Sequence, residues 1–309
     1  HRPSRMVVAL GNFDGVHLGH QALLRLGQRL AVEHDACLCA LFLEPHPLAV
    51  LRPAELPPLL TEPARRQALL LAEGASRVVI LPFTPAMALL SPADFVRRYL
   101  VEELCAVAVV VGEGFRFGHA RQGDVATLRQ LGAACGFDVH AHVAVQADGA
   151  VVSSTRVRQH LLAGDVAAAA RLLGRVHECE AAVVRGAARG RTLGFATANL
   201  APVATLLPAD GVYAVVARSV QHDSAGPVYG GMANVGPRPT LDRVRGVEVH
   251  LFDFAGDLYD KMLRVGFVAR LRTQQKFPDL AALQAQLHVD QQQAGHALTL
   301  ASTGLWRQL

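Results

Sequence analysis

Near residue 177 the chain changes rhythm, and that change limits the fold more than any other feature. Before it, apolar runs such as "MVVAL" (6–10), "ACLCALFL" (36–43), "RVVIL" (77–81) and "AVAVVV" (106–111) alternate with helical patterns at 18–33, 91–104 and 123–135. Strands that read as continuous hydrophobic runs, separated by helices, predict a parallel sheet covered on both faces. Ser91, Pro92 and Asp94 supply helix-start chemistry for the second pattern, and Gly136 stops the third. After the change, "CEAAVVRG", "GVYAVVARS", "PVYGGMANV", "GVEVHLFDF" and "MLRVGFVARLR" are strand-like runs set apart by Gly, Pro and Asp turns. That spacing predicts a small antiparallel barrel or sandwich, closed by a polar helix in "DLAALQAQLHVDQQQAGHAL". The expected organisation is a parallel α/β domain over 1–177 and an antiparallel β domain with a terminal helix over 178–309.

A chain of 309 residues, 51% hydrophobic and 18% charged, has the length and the apolar content for two packed domains. No apolar run approaches the ~18 residues of a spanning helix, and the opening "HRPSRMVVAL" lacks the pattern of a secretory leader. Cys37, Cys39, Cys105, Cys135 and Cys179 form an odd set with no C-x-x-C pair. Cys37 and Cys39 are expected as small core residues of a buried strand, without a disulfide framework, and the expected compartment is the cytoplasm. The net charge of +4 is carried mostly by arginine, whose planar fork matches phosphate. No run of basic residues stands out, so neither nucleic acid nor membrane is an expected partner.

The first strand breaks into "GNFDGVHLGHQ" (11–21) and then enters a helix. A turn of this kind leaves backbone N–H groups of Gly11, Asn12, Phe13 and Gly15 available, and with the positive end of the helix they make an anion site. With the helix starting near Val16, His17 and His20 stand three apart and face one side, where two imidazoles can donate to a polyphosphate. A zinc site needs a third ligand, and the neighbourhood offers only Asp14. A turn without chemistry is the remaining reading. "SSTRVR" (153–158) repeats the theme, with Ser153, Ser154 and Thr155 able to cap a helix and bond phosphate and Arg156 or Arg158 adding charge; a capped surface helix is its plain alternative. In "GFATAN", Thr197 and Asn199 stand two apart and share a face of an extended segment, presenting neutral oxygens of the kind Mg²⁺ accepts beside ATP; a local turn is the alternative. Strand alternation in "GVEVHLFDF" puts Glu248 on a face with His250 and Phe252, opposite Val247, Val249 and Leu251.

Taken together, the H-x-G-H pattern and "SSTRVR" resemble the two-part signature of nucleotidyltransferases. The wider set of "GNFDGVHLGHQ", "EPHP", "GFRFGHARQGD", "SSTRVR", "GDVAAAARLLGR", "GRTLGFATANL", "NVGPRPT" and "EVHLFDF" resembles the bacterial bifunctional riboflavin kinase/FAD synthetase family in order and spacing. The resemblance implies a Rossmann-like FMN adenylyltransferase domain followed by a riboflavin kinase barrel, with ATP, riboflavin and FMN as substrates, Mg²⁺ beside ATP, and FMN and FAD as products bound for recipient flavoproteins. It implies Glu248 as the kinase's general base and Thr197 and Asn199 as metal ligands. The Gly-rich "RGAARGRTLG" can cover ATP with backbone amides and Arg189 or Arg191, with a flexible surface loop as the plain alternative. The resemblance further implies Phe115, Phe117, Asp124, Asn234 and Arg238 as flavin contacts. Two rival readings are a kinase whose first domain has weakened and a flavin-binding or delivery protein with little turnover. A tRNA-synthetase reading of H-x-G-H is disfavoured, because no anticodon-binding or lysine-rich region follows.

Three positions depart from the family pattern. Ala196 stands where a proline is usual, Gly114 where Asp or Asn is usual, and Asp260 where Gly is usual. If that last glycine serves a positive φ, Asp is among the better replacements.

Overall fold

The computed structural model describes residues 5–185, 194–221, 224–237 and 245–301. Its contacts divide the chain into two compact units, residues 1–58 with 62–153 and residues 59–61 with 154–309.

The first unit is built on strands β1 (Met6–Leu10), β2 (Cys37–Glu44), β3 (Arg77–Pro82), β4 (Ala106–Gly112) and β5 (Asp138–His142). They are parallel throughout, in the order β3-β2-β1-β4-β5. All of β1 is buried. Val8, Leu10, Leu41 and Val109 pack to one side with Leu100 and Leu128, and Val7, Ala9, Phe42 and Val110 to the other with Leu24 and Leu70. The continuous apolar runs therefore report two covered faces, as expected. The winding reverses between β1 and β4, which opens a crevice at their carboxyl ends. β5 has a weaker signal, because its Asp and His residues are all half-buried or exposed. A small hairpin, β6 (Gln146–Ala147) and β7 (Ala150–Val151), follows.

Helix Leu18–Glu33 matches the pattern read at 18–33, while Val16, near which the loop reading began the helix, takes φ 39° and stands before it. Ser91 caps Pro92–Phe95, its hydroxyl accepting from the Asp94 N–H at 3.0 Å, and the helix continues in wide π turns over Val96–Glu103. Helix Val125–Cys135 ends at Gly136 with φ 84°. Cys39 is fully buried, and burial pushes its thiol up to about 11. The expectation for Cys37 fails: it is exposed, because burial in β2 begins only at Leu38. None of the five cysteines is joined in a disulfide.

The second unit opens with helices Ser154–Ala163 and Val166–Leu173. Among the described residues seven strands follow: β8 (His177–Val184), β9 (Ala198–Leu200), β10 (Gly211–Gln221), β11 (Ser224–Ala225), β12 (Tyr229–Pro237), β13 (Arg245–Leu251) and β14 (Met262–Arg272). Antiparallel pairing runs β10-β12-β13-β9-β8-β14 and returns to β10, so six strands close a barrel and β11 extends β10 as a hairpin. Closure removes the open edges that a sandwich of these strands would leave. Val247, Val249 and Leu251 alternate into the core as expected, while Glu248 and His250 stay half-buried on the opposite face. The terminal helix, Leu280–Leu300, is capped by Asp279, which accepts from the Ala282 N–H at 2.7 Å. Its Ala294 and Leu298 pack against Ala214, Val216, Met232 and Val268 of the barrel. Asp260 adopts φ 61°, the left-handed conformation that a glycine at this position would serve.

Candidate active sites

In the first unit the site begins where β1 leaves the sheet. Gly11 N–H still bonds Leu41 O at 3.2 Å, and the chain then turns sharply through Phe13 (φ 52°), Gly15 (φ 86°) and Val16 (φ 39°). Glycine adopts such a φ freely, but a β-branched valine there is strained by about 1–3 kcal/mol. Packing holds the turn in place. The Phe13 ring is fully buried and comes within 3.2 Å of the point where a Gly11 Cβ would sit. Val16 N–H bonds Phe13 O at 3.0 Å, and Gln21 Nε2 donates to Val16 O at 3.0 Å. His17 caps the helix, its Nδ1 accepting from the His20 N–H at 3.4 Å, so a neutral His17 carries its proton on Nε2. The His17 and His20 rings stack at 3.7 Å, with Phe13 edge-on to His20 at 5.2 Å. The two imidazoles therefore share one side, as their spacing predicts. Among the described residues no group of three or more His, Cys, Asp or Glu is placed to hold a metal.

The chain that leads into the second part of the signature comes close to this turn. A Cβ at Gly19 would lie 3.7 Å from Val152 O, so the chain entering half-buried Ser153 runs beside His17–His20. Ser154, Thr155 and Arg158 follow on the first turns of helix Ser154–Ala163 in the second unit, with Thr155 exposed. Asn12 is exposed, its Nδ2 position 3.2 Å from His46 Nε2.

Sequence reading missed Arg66, which is 1% exposed behind the loop. Its Nη1 donates to Asn12 O at 3.1 Å, and its Nη2 lies 3.5 Å from Asp14 Oδ1. Nη1 is also 3.8 Å from Glu44 Oε2, and the guanidinium covers the Phe42 ring at 4.9 Å. Burial pulls this guanidinium below the ordinary arginine range, and Asp14 and Glu44 oppose the shift. A signal existed: in helix Pro63–Ala72, Arg66 falls three and four residues before buried Leu69 and Leu70, on the apolar stripe.

Beyond β4, the Phe115 and Phe117 rings stack at 5.7 Å, and Phe117 exchanges backbone bonds with Gly123. Asp124 caps helix Val125–Cys135, its Oδ1 accepting from the Thr127 N–H and hydroxyl, both at 2.9 Å. Those bonds hold its carboxyl below the usual carboxylate range. A Cβ at Gly114 would meet nothing within 4 Å, so a side chain there has room.

The second unit holds a cavity of about 410 Å³ lined by Phe195, Thr197, Asn234, Glu248, Arg272 and Phe277, among others. Strand register places Glu248 directly opposite Asn199 of β9 on one side and Asn234 of β12 on the other. Gln274 Nε2 donates to Asn234 Oδ1 at 3.0 Å, and His250 Nδ1 lies 2.8 Å from Ala196 O, just before Thr197. The far wall is a two-pronged ion pair that sequence reading missed. Arg272 Nε and Nη2 meet Asp290 at 2.9 and 2.8 Å, Asp290 is fully buried, and Gln286 donates to it at 2.9 Å. Arg189, Arg191 and Arg238 lie outside the described residues.

Comparison with known proteins gives this arrangement its family. Residues 1–156 match the FAD synthetase family and residues 173–298 the riboflavin kinase family. The chain is 42% identical over 286 residues to the bifunctional riboflavin kinase/FMN adenylyltransferase of Pseudomonas fluorescens, covering 92% of this chain and 90% of that protein. The protein of the same name from Escherichia coli K12 is 35% identical with the same coverage. A crystal structure described as a macrolide-efflux protein from Streptococcus pneumoniae matches with a TM-score of 0.86 and 32% identity, covering 96% of this chain and 95% of that one. Among the described residues no helix is long and apolar enough to cross a membrane. With both modules present in this order, and relatives matched along nine-tenths of their length, the chain belongs to the bifunctional riboflavin kinase/FMN adenylyltransferase family.

Proposed function

We propose that the barrel half converts riboflavin and ATP to FMN, and that the parallel-sheet half converts FMN and a second ATP to FAD and pyrophosphate. The observation that carries this reading is Glu248, one carboxylate set between two amides at the edge of a largely apolar cavity. Phe195, Phe277, Leu283 and Leu287 suit a flat aromatic ring, with Asn234 toward its polar edge; Arg238 is assigned to the same flavin. Glu248 takes the proton of the terminal ribityl hydroxyl as that oxygen attacks the γ-phosphorus, and the bond to the β,γ-bridging oxygen breaks to release ADP. A general base of this kind contributes roughly 10²–10⁴-fold, and positioning and charge neutralisation supply the rest. Thr197 and Asn199 offer hard neutral oxygens next to a carboxylate, a donor set that fits Mg²⁺ arriving with ATP. When bound, that ion neutralises phosphate charge; Arg189 and Arg191 are assigned to the same nucleotide.

In the other half, the backbone of Asn12, Phe13 and Gly15 is assigned to the triphosphate; Gly11, expected beside them, keeps its N–H on Leu41 O and roots the loop in the sheet. His17, His20 and Ser153 add donors, and Ser154, Thr155 and Arg158 are assigned to the same nucleotide. An FMN phosphate oxygen attacks the α-phosphorus and pyrophosphate leaves. Phe115, Phe117 and Asp124 stand on the flavin side. We place the functional boundary near residue 177. Cysteines kept out of disulfides support a cytoplasmic location, from which FMN and FAD pass to recipient flavoproteins. Incubation with riboflavin, Mg²⁺ and ATP, followed by chromatography of the flavins, tests the whole reading. FAD supports it, FMN alone leaves a kinase with a silent first half, and unchanged riboflavin leaves a flavin-binding protein.

A further inference from the structure

The adenylyltransferase reading places a triphosphate on a loop whose backbone must point the right way. A trans peptide fixes its C=O and the following N–H on opposite sides. Whatever holds a loop carbonyl inward therefore turns the next N–H outward. Two buried side chains do this behind the turn. Arg66 Nη1 holds Asn12 O at 3.1 Å, which directs Phe13 N–H away from the guanidinium. Gln21, 6% exposed, holds Val16 O at 3.0 Å, which directs His17 N–H away from the helix interior. The second bond also fastens the strained φ 39° of Val16.

We infer that Arg66 and Gln21 are positioning residues for adenylyl transfer. Neither touches the nucleotide; each fixes one loop carbonyl so that a backbone donor faces the triphosphate. Arg66 also sets a buried positive charge behind the loop, 3.5 Å from Asp14 and 3.8 Å from Glu44, which keeps those carboxylates from facing the incoming phosphates uncompensated. Its stacking on Phe42 and its placement on the buried stripe of helix Pro63–Ala72 leave the fork little freedom to choose other partners. The pattern explains how a loop with unfavourable φ values keeps one conformation.

This inference rests on the adenylyltransferase reading, and the experiment separates the two. FAD formation from supplied FMN is measured for the full chain, with FMN formation from riboflavin as the internal control in the other half. If the unsubstituted chain makes no FAD, the adenylyltransferase reading itself fails. If it does, Arg66→Met and Gln21→Met are each expected to raise KM for ATP about ten- to hundredfold, the range for losing a hydrogen bond from a charged or buried donor. Inhibition by added pyrophosphate weakens in step, while KM for FMN and the rate of FMN formation stay within twofold. Arg66→Lys keeps the charge and one donor, and is expected to recover most of the loss. A purely structural role would instead lower kcat through a smaller folded fraction and leave KM for ATP unchanged. That result in Arg66→Met and Gln21→Met, or unchanged kinetics in either, overturns the proposal. Should Arg66→Met fail to fold, KM for ATP in Gln21→Met decides alone.

Discussion

The two halves of this chain grip nucleotide with different materials. In the parallel-sheet half the proposed grip is backbone: a loop with three positive φ values, held by a buried phenylalanine and by side chains behind it. In the barrel half it is side chains on neighbouring strands, Asn199, Glu248 and Asn234, brought abreast by antiparallel register. A backbone site depends on which residues tolerate the turn, and a side-chain site depends on which atoms stand on the strand. The two halves should therefore fail in opposite ways under substitution, and each failure should stay in its own half.

The largest expected effect is Glu248→Ala. Removing a general base should cut FMN formation by roughly 10²–10⁴-fold while FMN-to-FAD conversion stays intact, as read by separate assays on riboflavin and on FMN. Loss in both assays would show that the halves are not independent. Next is Asp290→Ala, which removes the fully buried carboxylate and leaves the half-buried Arg272 guanidinium without it. Breaking such a pair costs about 3–5 kcal/mol, measured as a lower urea midpoint for the transition that removes riboflavin binding. An unchanged midpoint would mean that the pair on the cavity wall contributes nothing to the barrel. Smaller again is Gly15→Ala. An alanine held at φ 86° costs about 1–2 kcal/mol, which converts to a roughly five- to thirtyfold loss in FAD formation with FMN formation untouched. A Gly15→Ala chain with full FAD formation would break the claim that this half is specified by its backbone.

How far the sequence revealed each half follows the same division. The helix 18–33 was legible to its last residue, because an amphipathic pattern and a glycine-rich entry both marked it. The alternation in β13 placed Glu248 correctly, since a period of two leaves no choice once one face is apolar. The spacing of the strand-like runs left barrel and sandwich both open, because closure depends on β9, three residues long, pairing with both β8 and β13; the family resemblance implied the barrel that forms. β5 escaped because a half-exposed edge strand carrying Asp and His lacks an apolar run. Arg66 escaped for a different reason: the pattern shows which stripe is buried, and a cation on that stripe looks like an exception until its acceptors, Asn12, Asp14 and Glu44, are brought to it by the fold.

The smallest expected effect tests whether side chains can tune the backbone half at all. Gly114 stands beyond β4, just before the stacked Phe115 and Phe117, and a Cβ there would meet nothing within 4 Å. The family pattern has a polar side chain at this position, so its loss here removes a hydrogen bond and creates no clash. Gly114→Asn should restore that bond, worth about 0.5–1.5 kcal/mol, or roughly two- to twelvefold in KM for FMN during FAD formation. Gly114→Ala fills the same space without the amide and separates the bond from any stiffening of the chain. If Asn lowers KM and Ala does not, the flavin lies against this wall and the backbone half uses side chains for the flavin while using backbone for phosphate. If neither moves KM, the flavin lies elsewhere, and the contrast between the halves is sharper than the family pattern implies.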